Sequence, residues 1–399
     1  MKSSFIMIYD DNGDGSSRKA QMPYIPRILS PRGLLNEKSH FLLGPRQTGK
    51  TSLVLSDLGG IRFYDLLDTG VYLSLSRNPG RLSDELQPHD RFVVIDEIQR
   101  LPDLLHEVQR LIEKSHIRFL LTGSNARKLR RGGVNLLGGR ARVKYLHPFV
   151  RSELGTSFDL HRALSSGLLP SIYFSTNPTA DLEAYAGTYL QQEVVAEGSA
   201  RNIPAFSRFL RVAALCNGTV VNFTNVANDA QVPRTTVYEY FEVLKDTLII
   251  HELPAWQRST KRKPLVSSKF YFFDIGVAGF LQGRRFAPGT AEYGEAFETF
   301  IAHELRAYRD YSTGEALSFW RSSSGFEVDF ILGDHTAVEV KAKETVGPQD
   351  LRTLNALSQE KKLKRYICVS LEARKRTTGV VQIMPYGEFL DALWAGELS

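Results

Sequence analysis

From Pro23 to about Val150, short unbroken apolar runs alternate with stretches whose apolar residues recur at helical spacing. His40-Phe-Leu-Leu43, Arg91-Phe-Val-Val-Ile-Asp-Glu97 and Ile117-Arg-Phe-Leu-Leu-Thr122 show no period-two alternation, which marks strands buried on both faces. The pattern predicts an open, mostly parallel sheet with helices on both sides, an α/β fold. Residues 152–198 read as helical and form a small lid, with Leu190-Gln-Gln-Glu-Val-Val195 continuing a helix begun near Ala180.

Three further helices follow, at Phe209–Leu215, Thr224–Ala230 and Thr235–Leu248. Thr224 is a natural N-cap. In the third helix Val237, Phe241, Leu244 and Leu248 share one face, and the turn at Gln231-Val-Pro233 joins the second and third into a helix-turn-helix. Leu248–Leu253 and Lys269–Phe273 supply two wing strands. The last third changes period again. After a helix at Gly294–Leu305, the strands Leu317–Trp320, Phe326–Leu332 and Ala337–Lys343 alternate by two, with a turn at Gly333-Asp-His335. Phe326, Val328 and Phe330 fall on one face and Glu327 and Asp329 on the other, as Val338 and Val340 oppose Glu339 and Lys341. The expected divisions are a loose tail at 1–22, an α/β domain at 23–155, the lid at 156–200, a winged helix at 201–265 and a second α/β domain at 266–399.

Two stretches carry chemistry. Gly44-Pro45-Arg46-Gln47-Thr48-Gly49-Lys50-Thr51 satisfies the phosphate-loop pattern at every fixed position, between a strand and a helix that opens with Ser52. Its backbone N–H groups would cradle the phosphates of ATP, Lys50 would reach the β- and γ-phosphates, and Thr51 would hold Mg²⁺. Asp96 closes a strand at the end where ligands of open α/β sheets collect, as the Mg²⁺-side carboxylate, and Glu97 would orient and deprotonate water. Ser124 and Asn125 end the next strand and could sense the γ-phosphate. The second stretch is the acidic hairpin. If its faces align, Asp329, Glu339 and Lys341 converge, and two carboxylates with an amine can bind Mg²⁺, activate water and steady a phosphodiester in transition.

The phosphate loop, the Val-Val-Ile-Asp-Glu-Ile-Gln strand and Leu-Thr-Gly-Ser-Asn resemble the bacterial and archaeal AAA-type ATPases whose C-terminal half carries a domain of unknown function, the DUF4143 type. The resemblance covers most of the chain after the tail. It implies that Arg140, in Gly139-Arg140, either reaches a neighbouring subunit's nucleotide as an arginine finger or braces its own domain, with Arg127 as the second choice. The Asp329, Glu339-x-Lys341 spacing is similar to the restriction-endonuclease-like nucleases, and that likeness implies a catalytic acid from an early helix, which Glu298 matches. No proline precedes Asp329.

Charge sharpens the partner class. A formal net charge of +6 is concentrated in Arg127–Arg131, Lys261–Lys263, Lys361–Arg365 and Arg374–Arg376, which suits DNA. Arg234, Thr235, Thr236 and Tyr238 would meet its major groove, although Glu239, Glu242 and Asp246 suit a protein contact as well. No apolar run reaches membrane-spanning length and no signal peptide is evident, so a cytoplasmic protein without membrane contact is expected, with Cys216 and Cys368 as reduced core thiols. Asp10–Ser17 resembles a calcium loop only in part, since Gln21 stands where an acid is needed. The function expected is an oligomeric ATPase, a homo-oligomer acting on DNA; the alternative is a non-catalytic nucleotide-dependent switch or scaffold.

Overall fold

The structure is a computed structural model that describes residues 24–125, 136–189, 202–259, 267–284 and 286–398. The tail 1–22, the stretch 190–195, Arg127, and the basic runs 127–131 and 261–263 lie outside the described residues. The chain divides into two compact units, 1–149 and 150–399.

The first unit is built on five parallel strands: β1 (Ser39–Leu43), β2 (Arg62–Asp65), β3 (Phe92–Asp96), β4 (Arg118–Gly123) and β5 (Ala141–Tyr145). Their order across the sheet is β2-β3-β4-β1-β5. The three apolar runs read from the sequence are β1, β3 and β4, and Phe41, Leu42, Val93, Ile95, Phe119 and Leu120 are buried. The helix Leu104–Ser115 covers the sheet through Leu104, Leu105, Val108 and Leu111, spaced as one face of a helix requires. The strand order has a consequence for chemistry: β4 lies between the strand that leads into the phosphate loop and the strand that ends in Asp96.

The second unit begins with short helices, Arg151–Leu154, Leu160–Ser166, Pro170–Tyr173 and Pro178–Leu182, the last running on as a π-type turn to Tyr189. Asn177 caps the last of these and proline at its first position starts it. Proline and glycine divide what the apolar pattern alone reads as longer helix. Next come the helices Ile203–Leu215, Phe223–Ala230 and Arg234–Asp246. The middle one is capped by Asn222, whose side chain accepts from the N–H groups of Thr224 and Asn225, so the cap lies two residues before the expected Thr224. Phe206, Phe209, Phe223, Tyr240 and Phe241 pack edge to face among these helices.

Strands β6 (Ile250–Leu253) and β7 (Lys269–Phe272) pair antiparallel. All four residues of β7 are buried. Phe270 packs on Phe241 of the third helix, while Tyr271 packs on Phe330 of the following sheet. Successive side chains of a strand point to opposite faces, so β7 serves two cores at once.

That following sheet has six strands: β8 (Leu317–Arg321), β9 (Glu327–Leu332), β10 (Thr336–Lys341), β11 (Arg365–Ser370), β12 (Arg376–Thr378) and β13 (Val381–Pro385), in the order β12-β13-β11-β10-β9-β8. β8, β9 and β10 form an antiparallel meander, and β10, β11 and β13 run parallel. The strict alternation expected of β9 does not hold. Ser318 pairs with Ile331 but Trp320 with Val328, so β9 contains one extra residue, a bulge at Asp329 and Phe330. Val328 and Ile331, three apart, therefore enter the same buried cluster with Ala337 and Cys368. Pairing of β9 with β10 runs from Thr336–Leu332 to Val338–Phe330, and Asp329 lies just beyond the last pair, where the strands part as a fork.

Candidate functional site

The phosphate loop turns at Gly49, whose φ of 89° favours glycine, and the helix Lys50–Asp57 begins there. Lys50 Nζ donates to the carbonyls of Gly44 at 2.8 Å and Pro45 at 3.0 Å, across the mouth of the loop. The Thr48 hydroxyl closes the loop from inside by donating to Pro45. Arg27, which the sequence reading missed, donates to the carbonyls of Thr48 at 2.8 Å and His147 at 2.6 Å, tying the loop to the exit of β5. Arg46 and Gln47 lie in the same turn, with Gln47 exposed at its tip, and Ser52 sits in the first turn of the helix.

Asp96 is the last residue of β3 and Glu97 follows it. The Thr51 hydroxyl donates to Asp96 Oδ2 at 2.7 Å, and the Thr122 hydroxyl donates to Asp96 Oδ1. Burial, with Asp96 1% exposed, raises its carboxyl above the ordinary value, against the pull of those two hydroxyls. Glu97 adopts a left-handed backbone, φ 58°, that only the surroundings can hold in a non-glycine residue, and its N–H donates to Thr122 at 3.2 Å. Thr122 therefore joins both acids, as its central strand position allows.

A residue without an assigned role in the sequence reading completes this centre. Gln99 Nε2 donates to Glu97 Oε2 and lies 3.2 Å from the Ser124 hydroxyl. A β-carbon on Gly123 would stand 2.5 Å from Gln99 Oε1, so the carboxamide lies directly on that glycine. Ser124 and Asn125 are buried at the end of β4. A hydroxyl and a carboxylate are hard oxygen donors, so Thr51 and Asp96 fit Mg²⁺.

Arg140 does not reach this centre in its own chain. Ala141 is in register with Ser39, which puts Arg140 at the N-terminal edge of the sheet, opposite the edge that bears Lys50 and Asp96. Its guanidinium pairs with Glu113 and donates to the Leu137 carbonyl.

In the second unit the acids gather at the fork. Asp329 Oδ2 accepts from the Val340 N–H at 2.8 Å, a backbone donor that β9 leaves to it once the strands part. Lys341 Nζ donates to Glu339 Oε1 at 2.6 Å, while the buried Glu339 Oε2 has no hydrogen-bond partner. Glu298, on the helix Ala291–Tyr308, accepts from the Tyr271 hydroxyl at 2.6 Å. Asp329, Glu339 and Lys341, singled out by the hairpin spacing, lie near Glu298, which only the nuclease resemblance singled out. The sequence reading missed Lys269 and Tyr271, which arrive from β7. Lys269 is 2% exposed, with Nζ 2.5 Å from Glu327 Oε1 and 3.7 Å from Glu298 Oε1.

Burial drives the electrostatics here. It raises Glu298 to about 7 and Glu339 to about 8, each also lifted by the charge of Asp329. Burial alone would lower Lys269, but Glu298, Asp329 and Glu327 outweigh it and push the ammonium up to about 12. Asp329 is raised by burial against the pull of Lys269 and Lys341. The orphaned Glu339 oxygen beside Asp329 fits a divalent cation, and both donors are hard oxygens. Among the described residues no three His, Cys, Asp or Glu side chains converge as a metal-holding group.

The helix Arg234–Asp246 exposes Arg234, Thr235 and Tyr238 and half-buries Thr236. Tyr238 stacks on Phe223 at 4.2 Å and accepts from Arg234 at 3.0 Å. Glu239 and Glu242 are exposed beside them. Lys361, Lys362, Lys364, Arg374 and Lys375 are exposed, whereas Arg376 is held by Glu372 at 2.7 Å. Among the described residues no helix is long and apolar enough to cross a membrane, and Cys216 and Cys368 are unbridged.

Residues 36–155 match the AAA domain, 157–286 a domain of unknown function (DUF8612) and 293–389 a domain of unknown function (DUF4143). The chain is similar to the uncharacterized proteins Rv2008c of Mycobacterium tuberculosis and Mb2031c of Mycobacterium bovis, each 26% identical over 344 residues, 82% of this chain and 75% of the relative. Among solved structures it is similar to the replication initiator DnaA bound to AMPPCP and single-stranded DNA, at 12% identity and a TM-score of 0.28 over 52% of this chain and 82% of that one.

Proposed function

We propose that this chain, which carries an AAA domain followed by a C-terminal DUF4143 domain, is a Mg²⁺-dependent ATPase that acts on DNA. One observation supports the ATPase reading above the others: the Thr51 hydroxyl on Asp96, with Lys50 at the loop mouth and Glu97 one residue on. Mg²⁺ held by Thr51 and Asp96 would neutralise phosphate charge. Lys50 exchanges its two carbonyl partners for phosphate oxygens, Glu97 takes a proton from the attacking water, and Gln99 fixes which way that carboxylate faces. Arg140, at the opposite sheet edge, suits a role on a second copy's nucleotide in a homo-oligomer, for which it must leave Glu113.

On the DNA side, Arg234, Thr235, Thr236 and Tyr238 offer a groove contact, and the fork offers nuclease-like chemistry. Asp329 and Glu339 would hold Mg²⁺ there, and Lys341 would steady charge on the phosphodiester. A second reading, a switch or scaffold that binds DNA without cutting, is favoured by the ammonium of Lys269 buried among the acids.

The test measures ATP binding, ATP hydrolysis and plasmid nicking on one preparation, with and without Mg²⁺. Lys50→Ala is expected to abolish nucleotide binding by titration with an unchanged circular dichroism spectrum. Unchanged ATP affinity in the folded variant overturns the ATPase reading. Wild type that hydrolyses ATP and binds DNA but leaves plasmid intact establishes the second reading.

A further inference from the structure

The fork holds four carboxylates, Glu298, Glu327, Asp329 and Glu339, and their partners divide them into two pairs. Lys269 lies on the first pair, at 3.7 Å from Glu298 and 2.5 Å from Glu327. Arg321 Nε is a further 3.4 Å from Glu327, and the Tyr271 hydroxyl occupies Glu298 Oε1. The second pair, Asp329 and Glu339, is bonded by the Val340 N–H and by Lys341, and among the described residues Glu339 Oε2 in it is a buried oxygen without a hydrogen-bond partner.

An ammonium 2% exposed cannot leave for solvent as a surface lysine does. Removing it from its half-buried acids would leave a buried ammonium without counter-charge, a cost of several kcal/mol. Lys269 is also fixed by its backbone, because it belongs to β7 and pairs with Leu253. Its charge is therefore a permanent part of the fork.

We propose that Lys269 is a built-in counter-ion that takes Glu298 and Glu327 out of metal ligation, leaving a single divalent-cation site made by Asp329 and Glu339. Glu298 is then a positioning residue that anchors Lys269 and Tyr271. This rests on the metal reading of the fork given above. It departs from the expectation that the helix acid acts on the metal or the substrate, and it makes β7 a component of the site.

The experiment titrates MnCl₂ into the full-length, nucleotide-free protein, in an Asp96→Asn background that removes the other carboxylate site, and counts bound ions by paramagnetic resonance of free Mn²⁺. One ion per chain is expected, lost in Asp329→Asn and kept in Glu298→Gln. Lys269→Met is expected to bind a second ion, and Lys269→Arg to stay at one. Loss of the ion in Glu298→Gln, beyond the roughly 10–100-fold weakening that removal of a supporting residue costs, overturns the proposal alone, because it makes Glu298 a ligand. A folded Lys269→Met that still binds one ion with wild-type affinity overturns it too. Where Lys269→Met does not fold, the Glu298→Gln result decides. No Mn²⁺ bound by the background protein overturns the metal reading of the fork and this inference with it.

Discussion

The first unit places its carboxylates at the end of a buried strand and the second gathers its own where β9 and β10 part, and the two balance them by opposite means. Asp96 and Glu97 are met by neutral donors, the hydroxyls of Thr51 and Thr122 and the amide of Gln99. Glu339, Glu298 and Glu327 are paired with ammonium groups, Lys341 and Lys269, whose charges also pull on Asp329. Neutral partners are exchanged for a cation at little electrostatic cost, so the first centre is arranged to receive its charge from a ligand. Buried ion pairs are coupled and costly to break singly, so the second centre carries much of its compensation within the fold.

The difference predicts how each centre fails. Lys269→Met should cost the second unit about 3–5 kcal/mol, because it leaves carboxylates without their counter-ion. Tryptophan fluorescence during denaturation reads this unit alone, since Trp256, Trp320 and Trp394 all lie within it. Asp96→Asn, followed by circular dichroism, should change stability by about 1 kcal/mol or less, since hydroxyl donors tolerate an amide oxygen. Equal losses would erase the contrast.

Catalysis at the neutral-donor centre should respond next most strongly. Glu97→Gln should bind ATP normally and hydrolyse it about a hundredfold more slowly, because only the proton acceptor is gone. Gln99→Leu keeps the base but frees its orientation. A fall of about tenfold in kcat with an unchanged KM is expected, and a wild-type kcat would show that Glu97 needs no such guide.

Glu304 separates burial from ion pairing. It is fully buried and takes only neutral donors, the Arg151 N–H at 2.6 Å and the Trp394 indole at 2.9 Å, and burial raises it to about 7. A carboxyl raised on folding binds its proton more tightly in the native state. Its contribution is therefore full below the ordinary glutamate range and is lost as pH rises through about 7. Denaturation across pH 4–8 should show wild type losing about 3 kcal/mol more than Glu304→Gln, which cannot ionise. Parallel curves would mean that the two N–H donors keep Glu304 ionised throughout.

The same contrast explains what could be read from sequence. The phosphate loop, Asp96 and Glu97 are local patterns, with each residue's role set by neighbours a few positions away and by one strand end, and they were legible. Gln99 stood in view two residues after Glu97, but its role depends on Gly123 leaving room for the carboxamide. At the fork, the spacing of Asp329, Glu339 and Lys341 survived the bulge that broke the expected alternation. Lys269 was invisible as a site residue because about sixty residues separate it from Asp329 and it reads as the polar start of an aromatic strand. The cap at Asn222 was missed for a smaller reason: Asn and Thr compete at adjacent turns, and propensity ranks them too closely to choose.

Strand β7 has a further implication for how such chains can change over generations. Lys269 and Tyr271 fall within the stretch matched by DUF8612, while the carboxylates they hold fall within the stretch matched by DUF4143. Recombination that joined either half to a stranger would bring together acids without their lysine, or a buried lysine without its acids. Each product begins with a folding defect, so the two halves are expected to travel through genomes as a pair, with drift at position 269 tied to drift at 298 and 327.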